Sequence, residues 1–343
     1  MLLWTESFDL GSVFTNRYAS YNYAGLGVPS GGTARTDKAF LVNNGGNHVQ
    51  TGALVPGSTT AIVGVAFWTS AFGTTAHLIE VREGSTAHCT LYLDASGYLK
   101  VYRAGSTLLA TSSVPLTTYC WYYVEFKVTV HDTAGEFTVQ VDGSTFGGLT
   151  ASSQDTRNGG TGQWDTIRLN GYGGNQAFDD FYICDTAGSY NANFLGNTKI
   201  KAVAPQTDAV GGAGGHQDFT CSTGTDHGAL VDDATGANPN DDTDYVSSST
   251  VNQIDTFNYA ALGITGSIAA VNVMPYLRKT DAGARTVSTV ARISSTDYVF
   301  GTSFTPPTSY VHRGQIWETN PATTNPWAVS EIDAAEFGVK IIS

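Results

Sequence analysis

Hydrophobic and polar residues alternate in short runs along the first half of the chain, and Gly, Asn, Asp or Ser closes each run. Residues 61–68, 77–82, 89–93 and 99–102 carry the period of two expected of strands with one buried face. Asp94-Ala95-Ser96-Gly97, between the last two, has the chemistry of a hairpin turn. Residues 121–130 form the longest strand candidate, followed across a Gly-containing turn by 136–141, which ends in Asp142-Gly143. Helical periodicity is absent, so this part reads as a sandwich or jelly roll.

The pattern restarts near Asn197. Residues 198–204 read as a strand, 210–215 as a flexible Gly-rich loop and 232–244 as an acidic loop. Strands are expected within 267–277, 286–293 and 338–342. One short helix is expected near the C-terminus, where Ser330-Glu331-Ile332-Asp333 has capping-box spacing and Gly338 stands as the stop. The halves do not repeat one another. The expectation is an all-β protein of two tandem β-sandwich domains, 1–196 and 197–343.

Composition supports this and narrows the partners. Charged residues make up 14% of the 343, too few for long helices with wet faces, whereas 41% are hydrophobic, enough for packed cores. The net charge is −13 and neither half contains a basic run, which excludes a phosphate-binding surface for nucleic acid. No apolar run is long enough to span a bilayer as a helix, and the first residues lack the basic and apolar regions of a signal peptide. Cys89, Cys120, Cys184 and Cys221 show no metal-like spacing and read as free structural thiols.

An ordered series carries a resemblance over about residues 1–190. It runs from Glu6-Ser7-Phe8-Asp9 through the strands near Phe40 and at 62–67, then 91–99 and Trp121-Tyr122-Tyr123-Val124-Glu125, to Val139-Gln140-Val141-Asp142-Gly143 and Phe178-Asp179-Asp180-Phe181-Tyr182-Ile183. This series resembles the concanavalin A-like, laminin-G-like jelly roll. The resemblance implies a Trp anchoring the core and an Asp-Asp strand returning at the sheet edge. The second half, through 238–246, 318–327 and 330–339, resembles the C-terminal portion of structural proteins of tailed bacteriophages. That implies a virion protein folded in the host cytoplasm and exposed on the particle at tail, baseplate or head. Its partners would be other virion proteins, copies of itself and host-surface polysaccharide, without nucleic acid or membrane insertion. A capsid decoration protein without a receptor role and a carbohydrate-active enzyme with a divergent site are the alternatives.

The jelly roll also hosts glycan hydrolases, whose retaining members need two carboxylates about 5 Å apart. The nearest acidic pair on a strand, Glu80 and Glu83, has an odd spacing that points the two to opposite faces, so no catalytic residue is assigned and the chain reads as a non-enzyme. Aromatic faces with neighbouring amides suit sugar rings, which singles out Tyr18, Tyr21 and Tyr23, and Trp164, Asn170 and Tyr172, as candidate glycan-binding residues. The alternative is that these are ordinary core and rim aromatics. No cofactor is implied except calcium, for which Asp179 and Asp180 are the candidate ligands, against a reading in which one caps a turn and the other meets solvent. The acidic loop 232–244 offers a second oxygen-rich candidate but lacks EF-hand spacing.

Overall fold

The computed structural model describes residues 1–33, 35, 38–43, 45–73, 76–171, 175–208, 215–233 and 237–343. Among the described residues the chain is all-β with one short α-helix near the C-terminus, and it divides into two compact units. Unit 1 comprises Met1–Asp9 and Tyr18–Lys201, and unit 2 comprises Leu10–Arg17 and Ala202–Ser343. The boundary therefore falls after Lys201, and one early segment of the chain belongs to the later unit. Alternation cannot reveal such an excursion.

Fifteen strands build unit 1: β1 Leu2–Glu6, β2 Tyr18–Asn22, β3 Gly25–Gly27, β4 Ala39–Val42, β5 His48–Thr51, β6 Thr60–Thr69, β7 Ala76–Glu83, β8 Thr86–Leu93, β9 Tyr98–Arg103, β10 Thr107–Pro115, β11 Trp121–Thr129, β12 Gly135–Val141, β13 Ser144–Gln154, β14 Thr166–Asn170 and β15 Gln176–Asp185. Among the described residues they form two antiparallel sheets. The eight-stranded sheet runs β13-β12-β11-β6-β15-β4-β3, with β1 also on β15. The seven-stranded sheet runs β10-β9-β8-β7-β14-β5-β2. Between them lies a core that includes Phe8, Phe40, Phe178 and Phe67, each with under 2% of its surface exposed and ring centroids 5.4–6.2 Å apart in that order. Each such ring contributes about 1.5–3 kcal/mol by burial, which sets the inward parity of every strand.

β6 and β15 are buried along their whole lengths. The Asp-Asp strand is thus central, between β6 and β4, and not at the edge the resemblance implied. Burial on both faces requires a second cover, which the segment after β15 supplies. The Leu195 amide donates to the Tyr182 hydroxyl (3.0 Å) and the Gly196 amide to Glu125 Oε1 (2.9 Å). Arg35 donates to the Thr198 carbonyl (3.0 Å) and to the Asn197 side chain. Residues 198–204 carry no ladder bonds; the strand expected there is an extended strap. The Trp of the resemblance, Trp121, is only half-buried, and Trp68 and Trp164 are the large indoles of the interior.

Gly64 makes room for this cover. A Cβ there would lie 2.0 Å from the Tyr182 ring, which passes over Gly64 to donate its hydroxyl to Glu125. Burial, reinforced by the neighbouring Glu125 charge, pushes the Tyr182 phenol well above its ordinary range, so it stays a donor.

Unit 2 contains β16 Pro205–Asp208, β17 Thr220–Cys221, β18 Val246–Ser247, β19 Ile254–Tyr259, β20 Val271–Val273, β21 Tyr276–Leu277, β22 Val287–Ile293, β23 Thr296–Val299, β24 Val311–His312, β25 Gln315–Trp317, α1 Val329–Asp333 and β26 Glu336–Ile341. A five-stranded antiparallel sheet, β16-β19-β26-β22-β23, is accompanied by the ribbons β17-β18, β20-β25 and β21-β24. Trp317 and Val273 of the β20-β25 ribbon pack with Trp327 on Ala291 and Phe337 of the sheet. The helix starts earlier than its capping pattern suggested, because Glu331 accepts from the Ala328 amide (2.9 Å) and Ala328, not Ser330, is the N-cap. Gly338 is not its stop but a mid-strand residue, where a Cβ would lie 1.8 Å from the Asp255 carbonyl oxygen.

Two stability measurements check the cover of the eight-stranded sheet. Gly64→Ala overpacks the Tyr182 ring and is expected to cost about 1–3 kcal/mol in denaturant unfolding. Asp180→Asn leaves the Arg35 guanidinium without its buried carboxylate and is expected to cost about 3–5 kcal/mol, with faster amide hydrogen exchange at Ile200.

Candidate functional site

The seven-stranded sheet has one face in the core and one face of polar groups. Cross-strand register sets the polar face in rows, since directly opposed residues share a face. One row runs Ser20, Gln50, Arg168, Glu80, Thr90 and Tyr102 across β2, β5, β14, β7, β8 and β9. A neighbouring row places Asn22, His48 and Asn170 in register, and on the other side of the sheet His77, Tyr92 and Lys100. The intervening positions Val49, Leu169, Ile79, Leu91 and Val101 are buried on the opposite, core-facing side. Period-two alternation in each strand thus produces both the core and this face.

Glu80 is the hub. It is 6% exposed and its carboxylate receives bonds from Asn170 Nδ2 (3.0 Å) and from Arg82, with His77 Nδ1 2.9 Å away. Burial pushes its carboxyl up, but the bonds from His77 and Arg82 outweigh this and hold it below its ordinary range. Beside the hub, the His77 and Tyr92 rings lie 4.2 Å apart and Tyr92 and Tyr102 4.6 Å apart. Burial, with Glu80 and Tyr102 nearby, pushes the Tyr92 phenol up to about 12, so it remains protonated and donates to the Gly105 carbonyl (3.1 Å). Lys100 pairs with Asp94 at 2.8 Å. At the other end, His48 lies 2.8 Å from Ser20 Oγ and 2.8 Å from the Gly46 carbonyl, and burial lowers its pKa towards the neutral ring. The face therefore offers donors, acceptors and partly exposed rings on rigid strands.

The residues singled out from the sequence divide among different environments. Asn170 lies on this face, bonded to Glu80. Tyr21 and Tyr23 come together with ring centroids 6.2 Å apart; Tyr21 is 50% exposed, whereas Tyr23 is half-buried with its ring 6.1 Å from that of Phe40. Tyr18 is buried with its ring 5.4 Å from that of Trp4, and Trp164 is wholly buried, so neither presents a surface to a sugar. Tyr172 lies outside the described residues. Glu80 was weighed only as half of a catalytic pair, and Arg168, His48, His77 and Tyr92 were not singled out, because each strand shows only its own alternation and the rows form across strands.

Asp179 and Asp180 are both fully buried, not turned to solvent. Asp180 has a positive φ of 50°, at an irregularity in the β15–β6 register that places three steps of β15 against two of β6. Its Oδ2 receives Arg35 Nε at 2.6 Å and its Oδ1 the Ile200 amide at 2.6 Å. Burial pushes the Asp180 carboxyl up against these partners. Both oxygens are thereby engaged in holding the strap, and Asp179 Oδ1 accepts from the Asp180 amide (2.8 Å). In the acidic loop, Asn238 receives Ser12, Asp241 receives the Tyr276 hydroxyl and Asp242 receives Arg278 and Tyr310. Its side chains bind their own unit. Among the described residues no group of three or more His, Cys, Asp or Glu is placed to hold a metal ion.

Glu80→Gln removes the charge that His77 and Arg82 stabilise. The folded-state pKa of Glu80 is depressed, so its contribution is present above the ordinary value of 4.5 and is lost as pH falls through the depressed value. The variant is expected to be about 1–3 kcal/mol less stable near neutral pH. In unfolding titrations repeated down the acid range, the gap from the parent should close.

No protein-family model matches the sequence, and no curated protein matches it. Solved structures with some likeness include a Trypanosoma rangeli sialidase at 14% identity and a TM-score of 0.33, covering 48% of this chain and 26% of that one. A second sialidase shows 12% identity and a TM-score of 0.38, with 54% and 18% covered. A galectin of Caenorhabditis elegans shows 15% identity and a TM-score of 0.29, with 42% and 96% covered. This chain spans less than a third of either sialidase. Likeness this slight carries nothing about substrate or reaction.

Proposed function

We propose that this chain is a non-catalytic surface protein that binds carbohydrate on the polar face of its seven-stranded sheet. The observation that carries the reading is the pair of cross-strand rows around Glu80. Neighbouring strands stand about 4.8 Å apart, so a pyranose ring lying on the face meets groups from two or three strands at once. Gln50, Asn170 and His48 supply the mixed donors and acceptors that sugar hydroxyls need, and the partly exposed His77 and Tyr102 rings, packed against the buried Tyr92, supply ring surface for their C–H faces. Rigid strands hold these groups in place before the ligand arrives, which lowers the ordering cost of binding.

Hydrolysis is disfavoured by the same geometry. Glu80 and Glu83 take separate partners, Glu83 being bonded to the Thr161 amide and hydroxyl, and the β7–β14 register keeps regular alternation through Arg82. Two carboxylates on opposite sides of a strand cannot flank one glycosidic bond.

The setting proposed for this binding is the surface of a tailed-phage particle, with copies of the chain arrayed on it and host polysaccharide as the ligand. That setting rests on the sequence resemblance alone. In the same reading unit 2 faces the particle and unit 1 faces outward.

A glycan array tests the binding reading. The parent chain is expected to bind at least one surface polysaccharide, and Asn170→Ala combined with Gln50→Ala to weaken that binding by about tenfold or more, the loss of two hydrogen bonds of about 1 kcal/mol each. Binding to no saccharide, or binding unchanged in the double variant, would overturn it.

A further inference from the structure

Arg168 stands at the centre of the polar face, directly opposed to Gln50 on one side and Glu80 on the other. The other cations of these rows are matched. Arg82 donates to Glu80, and Lys100 pairs with Asp94. Glu80, the carboxylate that faces Arg168, is already engaged by Arg82, His77 and Asn170. The Nε of Arg168 is buried and meets no hydrogen-bond partner among the described residues. Burial lowers the guanidinium pKa, although Glu80 opposes the effect and the group stays charged. A protein of net charge −13 thus places on this face a guanidinium whose Nε finds no hydrogen-bond partner among the described residues, and whose charge Glu80 offsets across the strand pair without bonding to that Nε.

A partly desolvated guanidinium with an unbonded Nε is costly to the folded chain, and the cost is recovered only when an anion fills its fork. A planar carboxylate fits that fork with two parallel N–H···O bonds, a geometry that a neutral hydroxyl cannot reproduce. Gln50, one strand away in the same row, is placed to meet a hydroxyl beside such a carboxylate. From this we infer that the carbohydrate bound by the sheet face is an acidic one, whose sugar carboxylate is received by Arg168. The inference rests on the glycan-binding reading above and adds the chemical class of the ligand. A uronate and a nonulosonate (sialic) residue share this chemistry, and the experiment separates them.

The test uses the full chain immobilised for equilibrium binding, with five probes: polygalacturonate, its methyl ester, sialyllactose, lactose and dextran sulfate. One carboxylated probe is expected to bind about tenfold or more tightly than its neutral counterpart, since charge-assisted bonds are about twice as strong as neutral ones. Preference for polygalacturonate over its ester assigns a uronate, and preference for sialyllactose over lactose assigns a nonulosonate. In Arg168→Gln that preference should fall to within about twofold, and Arg168→Lys should keep part of it. The melting temperature of Arg168→Gln should not drop, because the substitution removes a partly desolvated charge; a large drop would make Arg168 a structural residue and overturn the inference. Equal binding of acid and neutral probes, a preference that survives in Arg168→Gln, or dextran sulfate binding as tightly as the carboxylated probe would also overturn it while leaving glycan binding intact. Binding to none of the probes would overturn the acidic-ligand inference, whereas the glycan-binding reading stands or falls on the array.

Discussion

Two strands of this protein, β6 and β15, are buried from end to end, and the architecture of unit 1 follows from covering them twice. The seven-stranded sheet covers their inner side through the Phe core. The outer side carries Glu125, Asp180 and Tyr182, groups that water would normally satisfy. Those groups are bonded by the strap, through the amides of Leu195, Gly196 and Ile200, and by Arg35, with Glu125 Oε2 left buried and without a partner among the described residues. Burying such groups without partners would cost several kcal/mol in total.

The same constraint separates the two outer faces by role. The outer face of the eight-stranded sheet is occupied by the protein's own chain, so its polar residues stabilise. The outer face of the seven-stranded sheet carries rows of polar residues centred on Glu80, with His77 45% exposed at its margin. This is why Asp179-Asp180, the most conspicuous acidic pair in the sequence, belongs to the scaffold, whereas the less conspicuous Glu80 and Arg168 belong to the candidate site. Acidity by itself did not distinguish a clamp from a binding group; what covers the face did.

Unit 2 meets the same problem with less sheet. Trp317 and Trp327 fill its core, and their indole N–H groups reach Thr289 Oγ1 (3.2 Å) and the Trp317 carbonyl (3.0 Å). Arg292 pairs with the partly exposed Asp297 (2.5 Å), and His227 Nδ1 lies 2.8 Å from the buried Asp255 carboxylate. The acidic loop is part of this economy, since Asp241 and Asp242 hold Tyr276, Tyr310 and Arg278, whose tyrosine rings stack at 5.0 Å. These two carboxylates are engaged in fixing irregular chain that has few ladder bonds of its own.

By itself the sequence determined the fold class and several strands: β7 to β9, β11 and β12 were legible because a buried face must be apolar at every second residue, β6 as a nearly unbroken apolar run, and β15 through the resemblance that Phe178-Asp179-Asp180-Phe181-Tyr182-Ile183 carries. It did not reveal β10 or β13, whose Thr-, Ser- and Gly-rich edge segments become strands only by pairing with β9 and β12. Nor did it distinguish the strap at 198–204 from a strand, since both are extended and what separates them is the partner, Asp180 and Arg35 in place of a ladder. Asn170 was legible as a candidate because it stood beside aromatics in one segment. The site around it was not, because Gln50 and Glu80 flank Arg168 through cross-strand register, which brings together residues 118 and 88 positions apart. Local alternation decides which side of a strand a residue faces; only the pairing of strands decides what it faces there.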